Sequence, residues 1–131
     1  MVRRERLVGA ELESYLCTIS AALVRDLEPE RIVLFGSFAR GDQNRASDLD
    51  LVVIAATPLP FCERIGRVLE SAYGASTRLP VEVLVYTPEE WSRMAARGSS
   101  FVALVRKEGR VLYDRESQPE RGAALAEAGV A

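Results

Sequence analysis

The stretch Val33-Leu34-Phe35-Gly36-Ser37-Phe38-Ala39-Arg40-Gly41, followed by Ser47-Asp48-Leu49-Asp50-Leu51-Val52-Val53, organises the chain. An apolar run breaks at Gly36-Ser37, turns through a short polar segment and re-enters an apolar run that carries two aspartates. Ten residues lie between Ser37 and Asp48, and one lies between the aspartates. Side chains alternate along a strand, so Asp48 and Asp50 project from one face. Two neighbouring carboxylates repel unless a cation sits between them, and magnesium with carboxylate and phosphate ligands meets that need. Gly36-Ser37 stands at a strand end, where the following helical turn offers free N–H groups to an anion. A phosphate cradle next to metal carboxylates is the layout of a nucleotide site.

The rest of the chain bounds what such a site serves. Its 131 residues are one domain's worth, and 48% hydrophobic with 27% charged residues is ordinary globular composition. No run approaches the roughly 18 to 20 apolar residues of a membrane span. Basic residues open the chain, but no apolar segment with a cleavage site follows, so no secretory signal is expected. Cys17 and Cys62 each fall in an apolar helical pattern, which predicts buried free thiols and a cytoplasmic location. The absence of histidine removes Ser-His-Asp and Cys-His schemes, and two cysteines are too few for a zinc site. Acid–base work therefore falls to carboxylates. A net charge of −2 supplies no global attraction for nucleic acid.

Taken in order, residues 10 to 28 read as an amphipathic helix, with Leu12, Tyr15, Leu16, Ile19, Leu23 and Leu27 on one stripe and Pro29 ending it. Arg31 to Phe35 reads as a buried strand, Ser37 to Gly41 as a short helical turn, and Leu49 to Ile54 as a second buried strand. Asp42, Asn44 and Ser47 have turn chemistry. Phe61, Ile65, Val68, Leu69 and Ala72 mark a second helix with Gly74 as its expected C-terminal cap. Val81 to Tyr86 reads as a third, central strand, and Glu82 in it is costly unless paired or metal-bound. Thr87-Pro88-Glu89-Glu90 opens a helix with a capping box, Trp91, Met94 and Ala95 forming its inner face. A further helix through Phe101 and Val105 stops at Gly109, and Arg110 to Tyr113 is a short last strand. The expectation is an α/β fold, a small sheet of three main strands plus a short late strand, flanked by helices. Residues 1 to 114 form the domain and 115 to 131 a flexible tail, with a weak helix near 119 to 128.

With Gly36-Ser37, Asp48, Asp50 and Glu82 together, the chain resembles the minimal nucleotidyltransferases of the polymerase-β-like superfamily, whose mark is Gly-Ser, ten residues, then Asp-x-Asp. The resemblance runs from about Leu12 to Asp114. It implies magnesium-dependent transfer of a nucleoside monophosphate, most often AMP from ATP. Asp48, Asp50 and Glu82 are then the catalytic and metal-holding carboxylates, for two magnesium ions. Gly36 and Ser37 approach the phosphates, with Arg40, and more weakly Arg45, neutralising charge. Glu82 departs from the commoner aspartate at that position and reaches one methylene farther. The chain has no room for the added acceptor domain of larger relatives. The resemblance accordingly implies a helical HEPN-type partner in a toxin–antitoxin pair, with AMP going to a tyrosine of the toxin. Transfer to a small hydroxyl compound and a silent, partner-masking module are the alternatives. Neither a membrane nor nucleic acid is expected as partner, and a homo-oligomer remains open. Trp91 and Tyr86 are candidates for stacking on a base, against a plain core role.

Overall fold

The computed structural model describes residues 7–117. Helix α1 (Gly9–Leu27) comes first, followed by β1 (Arg31–Phe35), the single turn α2 (Ser37–Arg40) and β2 (Leu49–Ile54). Then come α3 (Phe61–Ala75), β3 (Val81–Tyr86), α4 (Pro88–Ala96), α5 (Ser100–Glu108) and β4 (Arg110–Asp114). The four strands form one mixed sheet in the order β3-β2-β1-β4. β1 runs antiparallel to β2 and β4, whereas β2 and β3 are parallel and joined through α3, as a crossover requires. The expected α/β architecture, with its short late strand, is what the chain adopts.

Strand alternation divides the core in two. Ile32, Leu34, Leu51, Val53, Val83 and Val85 pack with Leu16, Ile19 and Leu23 of α1 and Val68 and Ala72 of α3. The opposite face buries Val33, Val52 and Ile54 under Trp91 of α4 and Val102 and Val105 of α5. Gly109 lets α5 close onto the sheet: a Cβ there would lie 2.7 Å from Val33 Cγ1 and 2.2 Å from the Val105 carbonyl oxygen. The capping box forms as expected, Thr87 Oγ1 accepting from the Glu90 N–H at 3.1 Å and Glu90 Oε1 accepting from the Thr87 N–H at 2.8 Å.

Three expectations need correction. Cys17 and Cys62 are free thiols but exposed, because Leu16 and Ile19 carry the buried stripe of α1 and Arg64 and Val68 that of α3. Gly74 lies inside α3, which ends one residue later with Ser76 in extended backbone. β3 is an edge strand, so Glu82 faces solvent rather than a sealed interior. Side chains of α3 guard that edge. Tyr73 Oη accepts from the Val81 N–H at 2.8 Å, and Arg64 Nη1 donates to the Val85 carbonyl at 3.3 Å. The tail lies beyond the described residues after Ser117, as does the helix expected near 119 to 128. Its first residue is tethered, the Arg115 N–H donating to the Glu30 carbonyl at 2.9 Å.

Candidate active site

The register places three side chains in one lateral row. Phe35 of β1 stands opposite Asp50 of β2, and Asp50 opposite Glu82 of β3. Directly opposed residues share a face, so Asp50 and Glu82 are immediate neighbours on the face that α4 and α5 cover farther along. Asp48 precedes β2 by one residue, and its charge acts on Asp50. The structure therefore sets Asp50 and Glu82 side by side, with Asp48 near enough for its charge to act on Asp50.

Their proximity shows in Asp50, whose carboxyl is pushed up to about 6. Burial is the largest cause, followed by a hydrogen-bonding contact with Glu82 and the negative charges of Glu82 and Asp48, with Arg40 opposing them. As placed, these groups do not form a ligand cluster of three among the described residues. Their donor chemistry nonetheless fits a hard divalent cation: hydrogen-bonded carboxyls, held together against repulsion, offer only oxygen.

Gly36 is demanded twice over. Its backbone, φ 75° and ψ −156°, lies in a region that essentially only glycine occupies. A Cβ there would also sit 2.3 Å from Asp50 Oδ2. The backbone of the Gly36-Ser37 turn thus rests against the carboxylate, so an anion held by the turn would lie next to Asp50. α2 follows, and the first N–H groups of a helical turn have no intrahelical acceptor. The turn after α2 is held by its own side chains. Ser47 Oγ accepts from the Asn44 N–H at 2.9 Å, and Asn44 Oδ1 accepts from the Ala46 N–H at 2.7 Å.

Arg40 is exposed and tied to two carboxylates, Nε donating to Asp42 Oδ2 and Nη1 to Glu108 Oε2, each at 3.2 Å. It still lowers the Asp50 carboxyl, so its charge reaches the site. Arg45 is exposed. Trp91 is buried in the core, whereas Tyr86 is only partly covered.

Sequence reasoning missed the walls of the site. A cleft of about 590 Å³ opens beside Asp50 and Glu82, walled by Phe35, Phe101, Leu84, Ile65 and Leu69. It wraps over the β3 edge from one sheet face to the other. Phe35 was within reach of a register argument, being the last residue of a strand antiparallel to that of Asp50. Phe101 gave no signal, because only tertiary packing brings α5 to the site.

Comparison with known proteins follows the same lines. The nucleotidyltransferase domain profile matches residues 16–113. A Methanocaldococcus jannaschii protein described as a candidate protein adenylyltransferase is 31% identical over 84 residues, covering 64% of this chain and 78% of that protein. Among solved structures, a toxin–antitoxin complex with AMP-PNP aligns with TM-score 0.53 at 23% identity, over 86% of this chain and 97% of that one. A mutant of the MntA-HpeT toxin–antitoxin pair gives 0.53 at 21% identity, over the same shares. A candidate nucleotidyltransferase of Sulfolobus solfataricus gives 0.50 at 21%, over 84% and 92%. These structural likenesses establish the fold. The profile match spans most of the chain, and the chain belongs to the nucleotidyltransferase domain family. It is a nucleotidyltransferase, as the Gly-Ser and Asp-x-Asp pattern led us to expect.

Proposed function

We propose that this chain transfers AMP from ATP, with magnesium, onto a hydroxyl of a partner protein, and that the partner is a helical HEPN-type toxin. The observation that carries the chemistry is the Gly36-Ser37 backbone lying against Asp50, beside Glu82. The protein acceptor is supported by the description of the Methanocaldococcus jannaschii relative and by the toxin–antitoxin complexes that share the fold.

Asp48, Asp50 and Glu82 would hold the magnesium. When bound, it supplies positive charge at the α-phosphate and at the departing pyrophosphate. Gly36 and Ser37 receive the β- and γ-phosphates through backbone N–H groups and the Ser37 hydroxyl. Arg40 adds positive charge once the triphosphate competes with Asp42 and Glu108 for its guanidinium. Glu82, exposed on its edge strand, accepts the proton of the acceptor hydroxyl. That oxygen forms its bond to the α-phosphorus as the bond to the bridging oxygen breaks, and pyrophosphate leaves.

Incubating the protein with magnesium, α-labelled ATP and a lysate of its source cells tests the proposal. A labelled protein band is expected, lost without magnesium and in Asp48→Asn and Asp50→Asn. Label in RNA or in a small compound would refute the protein acceptor. Undiminished transfer by either variant would refute the site.

A further inference from the structure

Beyond the carboxylates, the catalytic face continues as a strip with a different chemistry at each end. Glu82, Leu84 and Tyr86 alternate onto that face of β3. Phe101, in the wall of the active-site cleft, lies 5.5 Å from Phe35 and 6.3 Å from Tyr86 between ring centroids, and Tyr86 lies 5.5 Å from Phe61. Phe61 is 41% exposed, a large apolar ring left in solvent. It shares with Tyr86 a second hollow of about 230 Å³, whose far rim is Arg93 of α4 and Arg97, which caps that helix. These two arginines are exposed, stand one helical turn apart and take part in no ion pair among the described residues. The nearby Glu90 is already engaged by Arg64 at 2.6 Å and by the Thr87 N–H. Like charges at that spacing repel, so an anion between them is favoured.

We propose that this strip is the docking track for an extended acidic segment of the acceptor polypeptide. One residue is presented at Asp50 and Glu82, its neighbours lie over the aromatic row, and an acidic side chain pairs with Arg93 and Arg97. Four residues of strand separate Glu82 from Tyr86, roughly 13 Å at about 3.3 Å per residue. The arginines lie past Tyr86, so the acidic group stands at least four residues from the modified one. Charge distribution favours a polypeptide over a nucleic-acid strand. A single strand of nucleic acid needs cations along its whole path, whereas along this strip Arg40 and Arg64 are held in ion pairs, Arg93 and Arg97 stand at the far end, and carboxylates occupy the near end. The track deepens the proposed protein-directed activity and rests on that reading for the identity of the residue presented.

The test uses fluorescent peptides of about ten residues, each with one tyrosine and either two glutamates or two glutamines four and five positions away. Binding to the full chain is read by anisotropy. The acidic peptide is expected to bind about tenfold more tightly than its glutamine twin, with the advantage shrinking as salt rises. The Arg93→Glu/Arg97→Glu variant, both positions being exposed, should keep its circular-dichroism spectrum and lose the advantage. Equal binding of the two peptides, an unchanged preference in the variant, or tighter binding of a ten-thymidine oligonucleotide would each overturn the track. Label transfer, measured separately, keeps the two proposals apart. A chain that prefers the acidic peptide but labels no protein retains the track and refutes the acceptor, and one that labels protein without preference refutes the track alone.

Discussion

Gly36 shows how one residue can tie backbone to chemistry. Alanine there would put a methyl group into Asp50 and force the backbone out of a region costing about 1–3 kcal/mol for other residues. Gly36→Ala is expected to lower the melting temperature and to cut the proposed AMP transfer about a hundredfold or more, measured by calorimetry and label transfer on the same preparation. Asp50 makes a prediction about pH. Its carboxyl titrates near 6, above the ordinary aspartate value. Between about pH 4 and 6 the folded protein thus holds a proton that the unfolded chain has released. In the metal-free protein this group's stabilisation is fully present below about pH 4 and is lost as pH rises through 6. Thermal melts of the wild type and Asp50→Asn across that range should show the wild type losing stability relative to the variant. A difference that stays flat with pH would contradict the assignment. The place of Asp50 on β2 was legible in the sequence because strand patterning needs no knowledge of neighbours. The exposure of Cys17 and Cys62 was not, since a small side chain fits either side of a helical stripe and only the packed partner decides.

At the scale of elements, Arg64 joins more of the structure than its position on α3 suggests. Its side chain is 9% exposed and donates to the Leu59 and Val85 carbonyls while pairing with Glu90. Glu90 in turn closes the capping box of α4. Three elements and a loop thus meet on one guanidinium, so the pair should matter more than a surface ion pair. Glu90→Ala leaves a buried cation short of its partner and removes a cap, and a loss of about 2–3 kcal/mol is expected in urea melts. Trp91→Ala, which empties the middle of the α4–α5 core, should cost about 3–5 kcal/mol by the same measurement. The capping box of α4 was readable from Thr87-Pro88-Glu89-Glu90, because its partners lie within one turn. Arg64 was not, because its partners come from β3, α4 and a loop that only the fold assembles.

For the whole molecule, the site lies where the β1–β2 hairpin connection meets an edge strand reached by a crossover, so bound ligand should brace the sheet. ATP with magnesium at about a hundred times its dissociation constant is expected to add about 2.7 kcal/mol, or about 10 °C in melting temperature. ATP alone should add much less, and Asp50→Asn should abolish the gain. Equal shifts with and without magnesium would argue against the carboxylates as metal ligands. Among the described residues no helix is long and apolar enough to cross a membrane. The sequence by itself determined the order of helices and strands, the Gly36-Ser37 turn and the placing of Asp50 on β2, since each follows from side-chain period and local backbone preference. Only the tertiary structure decided that Glu82 stands beside Asp50 on an edge strand. It alone also joined Arg40 to Glu108, and brought Phe101 to the cleft and Arg93 and Arg97 to the far end of the same strip. Those placements depend on strand register and helix packing between segments far apart in the chain, and no local period encodes them.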